Sequence, residues 1–210
     1  MKSPTSHYKK LKADLRKARK IVVRVDPIEC KNDLQRLKLS SYVLLCHAAI
    51  EQFLEELALE AAMDARRNFK DKGRISRTLV ALVAAKVLDE TKAEKSKSKI
   101  GSDLVRDIDE YSKQAINLFR NTIKENHGIS ERNLDNLFIP IGFKPNEIDL
   151  SLVNSLTALG ERRGGLAHKF VIKNEDTLSA FETDLKSIVR DLEGIDQEVC
   201  LCSKYSTKIN

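Results

Sequence analysis

Residues 33–67 read DLQRLKLSSYVLLCHAAIEQFLEELALEAAMDARR, a run of 35 positions with neither glycine nor proline. Val43, His47, Ile50, Leu54, Leu57 and Ala61 recur in it at steps of three and four, which sets them along one stripe of a helix. Asn32, immediately before, is a suitable N-cap. The spacing predicts one helix over 32–67 at the centre of a bundle, and the rest of the chain reads as what surrounds it.

Upstream, residues 8–25 have a helical pattern that must end at or before Asp26-Pro27, because a residue preceding proline is driven out of the helical region. This N-terminal helix, within residues 1–26, is basic and half-exposed. Between Lys9 and Arg24 lie Lys10, Lys12, Arg16, Lys17, Arg19 and Lys20, with Asp14 as the only acid. Downstream, the break DKGR at 71–74 precedes a helix over about 76–90, apolar almost all round. The polar stretch TKAEKSKSKIGS, 91–102, reads as a mobile loop, and its Lys92, Lys95, Lys97 and Lys99 form a second basic cluster. Either cluster suits phosphates or is simply a solvated surface.

Ser102 or Asp103 can cap a further helix whose apolar face is Leu104, Ile108, Tyr111, Ala115, Leu118 and Ile123, stopping near His127-Gly128. With Pro140, Gly142 and Pro145, residues 129–150 read as a long structured loop with a short helical turn at its start. Helix returns over about 149–159 and again from near 174–176, where Leu178, Phe181, Leu185, Ile188, Val189 and Leu192 form a buried face. There is no alternating strand pattern, internal repeat or heptad array. The fold class is therefore all-α, an antiparallel helical bundle forming a single domain over 1–210.

Composition agrees. The chain is 41% hydrophobic and 32% charged, which excludes disorder throughout, and its aromatic share of 5% without tryptophan suits a core of Leu, Ala, Ile and Val. No apolar run approaches the roughly 18 to 20 residues of a membrane span, and the opening MKSPTSHYKKLKADLRKARK lacks the apolar centre of a signal peptide. The expectation is a cytoplasmic protein with no membrane partner. Cys30, Cys46, Cys200 and Cys202 are then expected as reduced thiols, and Cys200-x-Cys202 has no second pair at zinc spacing, so no metal site is expected.

The stretch that resists a structural explanation is ERRGGLAHKF, 161–170. Two glycines cost a helix roughly 1 kcal/mol each relative to alanine. If a helix begins within residues 164–167, Arg163 and His168 reach one cleft from its N-terminal turn, where free N–H groups favour a phosphate. The glycines would then permit close approach of a ligand or a partner backbone. Arginine holds phosphate oxygens in a fork of donors and histidine titrates in the range that proton transfer needs, which together suit attack of an RNA 2′-hydroxyl on its neighbouring phosphate. One Arg and one His per chain supply half of such a site, and two chains about a twofold axis supply the whole. The plainer reading is a helix-start arginine and a surface histidine.

Residues 161–168 resemble the R-x(4–6)-H signature of HEPN domains, small α-helical proteins that include many metal-independent RNases and toxins. The stretch YVLLCHAAIEQFLEELA, 42–58, resembles the long second helix of that family, particularly of its ribosome- and RNA-associated branches. The resemblance implies Arg163 as the phosphate-contacting arginine, His168 as the catalytic histidine and Arg162 as the alternative arginine. It also implies RNA as substrate, no cofactor, a homodimer with a composite active site, and control by an antitoxin or a defence-system partner protein. The family commonly has Asn directly after the arginine, where this chain has Gly164.

His47, with Glu51 one turn later, reads either as a substrate-binding pair or as a core-edge histidine held by a carboxylate. His127 reads as a helix C-terminal histidine, His7 as part of a frayed basic terminus, and Glu55-Glu56 as a solvated face. The function expected is a metal-independent endoribonuclease of a toxin or phage-defence system that leaves a 2′,3′-cyclic phosphate. The alternatives are a non-catalytic HEPN-like module that binds nucleotide or RNA or acts as a dimerising adaptor, and a plain helical interaction protein.

Overall fold

The computed structural model of the protein describes residues 1–93, 95–144, 147–169 and 177–204, with residues 167–169 described by their backbone. Among these are eight α-helices and no strand: α1 (Ser6–Ala18), α2 (Asp33–Lys72), α3 (Arg77–Lys92), α4 (Lys97–Arg106), α5 (Ile108–Lys124), α6 (Glu131–Phe138), α7 (Leu150–Lys169) and α8 (Leu178–Cys202). The all-α bundle expected from the sequence is the fold observed. No described helix is long and apolar enough to cross a membrane.

α2 forms the axis, for the reason its sequence gives. Asn32 caps it by accepting from the Gln35 N–H, and Gly73 ends it in the left-handed conformation at φ 62°. Leu54, Leu57, Ala58, Ala61 and Ala62 are wholly buried, because α1, α5, α7 and α8 all pack against it. Fully burying one such leucine contributes about 1.5 to 3 kcal/mol.

The basic N-terminal helix is shorter than its pattern suggests. α1 ends at Ala18, passes into a 3₁₀ turn over Arg19–Val22, and buries Tyr8, Leu11 and Leu15. The terminus is pinned rather than frayed: Ser3 Oγ donates to Asp196 Oδ2 at 2.6 Å, the Thr5 N–H donates to the same oxygen at 3.1 Å, and the Thr5 hydroxyl bonds Oδ1. His7 Nδ1 lies 3.3 Å from Glu56. Lys10 Nζ donates to Glu56 at 2.9 Å, so Glu56 is a tie between α1 and α2 and no solvated face.

Two further expectations are corrected and a third is extended. Most of the loop predicted over 91–102 is the start of α4, which Ser96 caps and Ile100 anchors by burial; one apolar residue among lysines leaves too weak a period to read. Asp107, not Ser102 or Asp103, caps α5 by accepting from the Glu110 N–H. The helical turn expected at the start of the 129–150 stretch is present and is longer than a turn: it is α6, fixed by a capping box between Ser130 and Asn133, with Leu134, Leu137 and Phe138 buried. Lys95, from the second basic cluster, donates to Glu90 at 2.7 Å. All four cysteines are free thiols, Cys30 half-buried and the others buried.

Candidate active site

α7 runs unbroken through the glycine motif, from residue 150 to residue 169. No helix begins within residues 164–167, so the expected phosphate site at a helix N-terminus is not formed: Arg163 and position 168 lie in the C-terminal half of one helix. Neither Gly164 nor Gly165 has a positive φ, and a Cβ built on either meets nothing within 4 Å. The apolar residues 152, 153, 156 and 159 are buried along the first three turns and hold α7 in the bundle, which is enough to carry the helix through two poor formers.

Helical geometry fixes what the motif presents. Positions 163 and 168 are about 140° apart around α7 and roughly 7.5 Å apart along it. Gly164 and Gly165 precede position 168 by four and three residues and flank its face. The His168 side chain lies outside the described residues. Arg162 Nη1 pairs with Asp184 Oδ2 of α8 at 3.1 Å, so the alternative arginine has a structural partner. Arg163 is exposed.

Across from α7 stands a row on α2. His47, Glu51 and Glu55 follow one another at steps of four, and His47 is 3% exposed. Its Nδ1 lies 3.7 Å from Glu51 Oε2, an electrostatic contact rather than a hydrogen bond. Burial drives the His47 pKa below its ordinary value, Glu51 opposes that, and the Arg163 charge lowers it further. The structure thus brings Arg163, His47 and Glu51 into one electrostatic neighbourhood, with His47 neutral at neutral pH.

Glu55 continues the row. It accepts from Asn126 Nδ2 at 3.2 Å, while Asn133 Nδ2 donates to Asn126 Oδ1 at 2.9 Å. Burial raises the Glu55 pKa, the Asn126 hydrogen bond lowers it, and the Glu51 charge raises it. Gly128, at φ 141°, is required here, because a Cβ would sit 3.2 Å from Asn133 Oδ1 in a conformation that other residues rarely adopt. Reading Glu55 as a solvated carboxylate is therefore corrected; the signal that finds it is the four-residue continuation from His47 and Glu51. His127 is exposed beyond the end of α5 at Lys124, and its charge is felt by Glu55.

The sequence profile of the RiboL-PSP-HEPN family matches residues 6–196 of the 210. The chain belongs to the RiboL-PSP-HEPN family. Comparison with curated proteins and with solved structures gave no match. The match runs from the first helix through most of α8 and includes the basic helix α1 and the Arg19–Val22 turn. In this HEPN chain the motif helix is α7 and the long helix is α2. The neighbourhood where they meet holds a cation, a buried neutral imidazole and two carboxylates, groups able to hold a phosphate and to accept or deliver a proton.

Proposed function

We propose that the protein is a metal-independent HEPN endoribonuclease, built as a homodimer and serving as a toxin or phage-defence effector in the cytoplasm. The observation that carries this is the meeting of the two HEPN elements: α7, which bears Arg163 and position 168, packs against α2, which bears the buried His47. In the reaction, the 2′-oxygen of RNA bonds to the adjacent phosphorus as its proton passes to a base. The bond from phosphorus to the 5′-oxygen breaks as that oxygen gains a proton. The products are a 2′,3′-cyclic phosphate and a free 5′-hydroxyl. Arg163 holds the phosphate oxygens, His168 moves the proton, and His47 with Glu51 orients the substrate.

The 140° between positions 163 and 168 favours a composite site, in which a second copy completes what one α7 presents. Two surfaces support such pairing. The face beside Gly164 and Gly165 has room for another backbone. On α2, Leu34, Leu37, Leu44 and Leu45 are exposed within an arc of about 100°. An antitoxin or defence partner would then act by covering or releasing the cleft.

The test is cleavage of mixed RNA in EDTA by wild type, Arg163→Ala and His168→Ala, with thermal unfolding measured on each. Cyclic phosphate ends from wild type, reduced by a factor of at least about 100 in either variant at unchanged Tm, are expected for loss of a proton-transfer or phosphate group. Cleavage that persists in His168→Ala refutes the assignment. Gly164, where the family commonly has Asn, favours a second reading, a non-catalytic RNA-binding or dimerising module. Tight RNA binding without cleavage by the wild type would establish it.

A further inference from the structure

A second concave site lies away from the α2–α7 neighbourhood and shares none of its residues. α1 and α8 diverge over the start of α2 to leave a cleft of about 420 Å³, within the range of small-molecule sites. Its floor is apolar: Leu15, Leu185 and Val189 form the walls above Tyr42, which is buried edge-on against Phe181 with ring centroids 5.3 Å apart. Its rim is cationic. Lys12, Arg16, Arg19 and Lys186 stand against one carboxylate, Glu182.

That carboxylate is already used. Arg19 Nε donates to Glu182 Oε1 at 2.6 Å and Nη2 to Oε2 at 3.3 Å, a fork that ties the 3₁₀ turn after α1 to α8. Lys12, Arg16 and Lys186 remain, three exposed cations with no carboxylate partner among the described residues. Lys12 Nζ rests 4.6 Å over the Tyr8 ring, and Arg16 Nε donates only to the Lys12 carbonyl. Three exposed cations around an apolar trough give it an unbalanced positive rim that complements an anionic head on an apolar body, whereas a nucleic-acid track would want a polar floor or an open aromatic face instead.

We propose that this cleft binds a small amphipathic anion, a molecule with an apolar body seated on Leu15, Leu185 and Val189 and one carboxylate or phosphate head held by Lys12, Arg16 and Lys186. The site is independent of the RNase reading, since no residue of the α7 motif lines it. The Arg19–Glu182 fork is itself part of the lining, so its two charges are already matched to each other and leave the head group to the remaining cations.

Dodecanoate, used below its micelle concentration, is the probe. It is titrated against the full chain by calorimetry and against bound 1-anilinonaphthalene-8-sulfonate by fluorescence. Saturable binding of one dodecanoate per chain, displacing the dye and weakening with salt, is expected. The Arg16→Glu/Lys186→Glu double variant should bind about tenfold or more weakly, as expected for the loss of charged hydrogen bonds. Val189→Trp, which fills the trough from a half-buried position, should abolish binding while circular dichroism and Tm stay as in wild type. Equal binding of dodecyltrimethylammonium, or binding unchanged in both variants, overturns the proposal. So does failure of dodecanoate while an acidic amphipathic peptide displaces the dye, which would make the cleft a protein-docking groove.

Discussion

An alanine at position 164 or 165 would find open space and ordinary helical backbone, so its methyl meets no steric obstacle within the chain. Each substitution should stabilise α7 by about 1 kcal/mol, a gain of roughly 2 to 4 °C in Tm. If the bare backbone serves RNA or a second copy, that gain comes with reduced RNA cleavage or self-association. A Tm rise with both functions intact would show the glycines to be idle. His47 carries a separate, pH-dependent prediction. Its folded pKa is lowered from 6.5, so the native state resists protonation; its contribution to stability is complete above pH 6.5 and declines as the pH falls below that value. Urea midpoints at about pH 7.5 and 5.5 should converge in His47→Gln relative to wild type. An unchanged pH slope would mean that another group carries it.

Between elements, the tie most open to test is Glu90 of α3. It accepts from Lys86 of the same helix, from Lys95 just before α4, and from Tyr111 Oη of α5 at 2.8 Å. Although burial opposes it, these partners hold the Glu90 pKa down at about 2, from an ordinary 4.5. The stability this brings is present above pH 4.5 and is lost as the pH falls toward 2. Glu90→Gln should be less stable than wild type at neutral pH and show a shallower loss on acidification, read by circular dichroism; parallel acid curves would refute the role. The same elements show what the sequence made legible. α2 was readable because its apolar stripe persists over many turns and Asn32 marks its start. α4 was hidden and α6 was legible only as a short turn, since each depends on a few buried residues and a cap rather than on a period. α7 was misjudged at its glycines because its stability comes from side chains buried earlier in the helix, a tertiary effect that local propensity does not contain. Glu55 escaped for a similar reason: its partner Asn126 is 71 residues away.

For the whole molecule, the exposed leucines of α2 make assembly the first question. Leu44 and Leu45 are 37% and 44% exposed, so replacing both by Glu should leave the bundle folded while light scattering moves from dimer to monomer. A wild type that is already monomeric at working concentration would remove the basis of the composite site. The bonds of Ser3 and Thr5 to Asp196 have a further consequence, because they span more than 190 positions of the chain. As the protein leaves the ribosome, α1 emerges first but meets its anchoring carboxylate only after nearly every other helix has been made. The nascent chain can rest α1 on α2 early but cannot pin residues 3–5 until α8 has been made. The finished fold, with its first residues fixed, therefore arises only once α8 is free to dock.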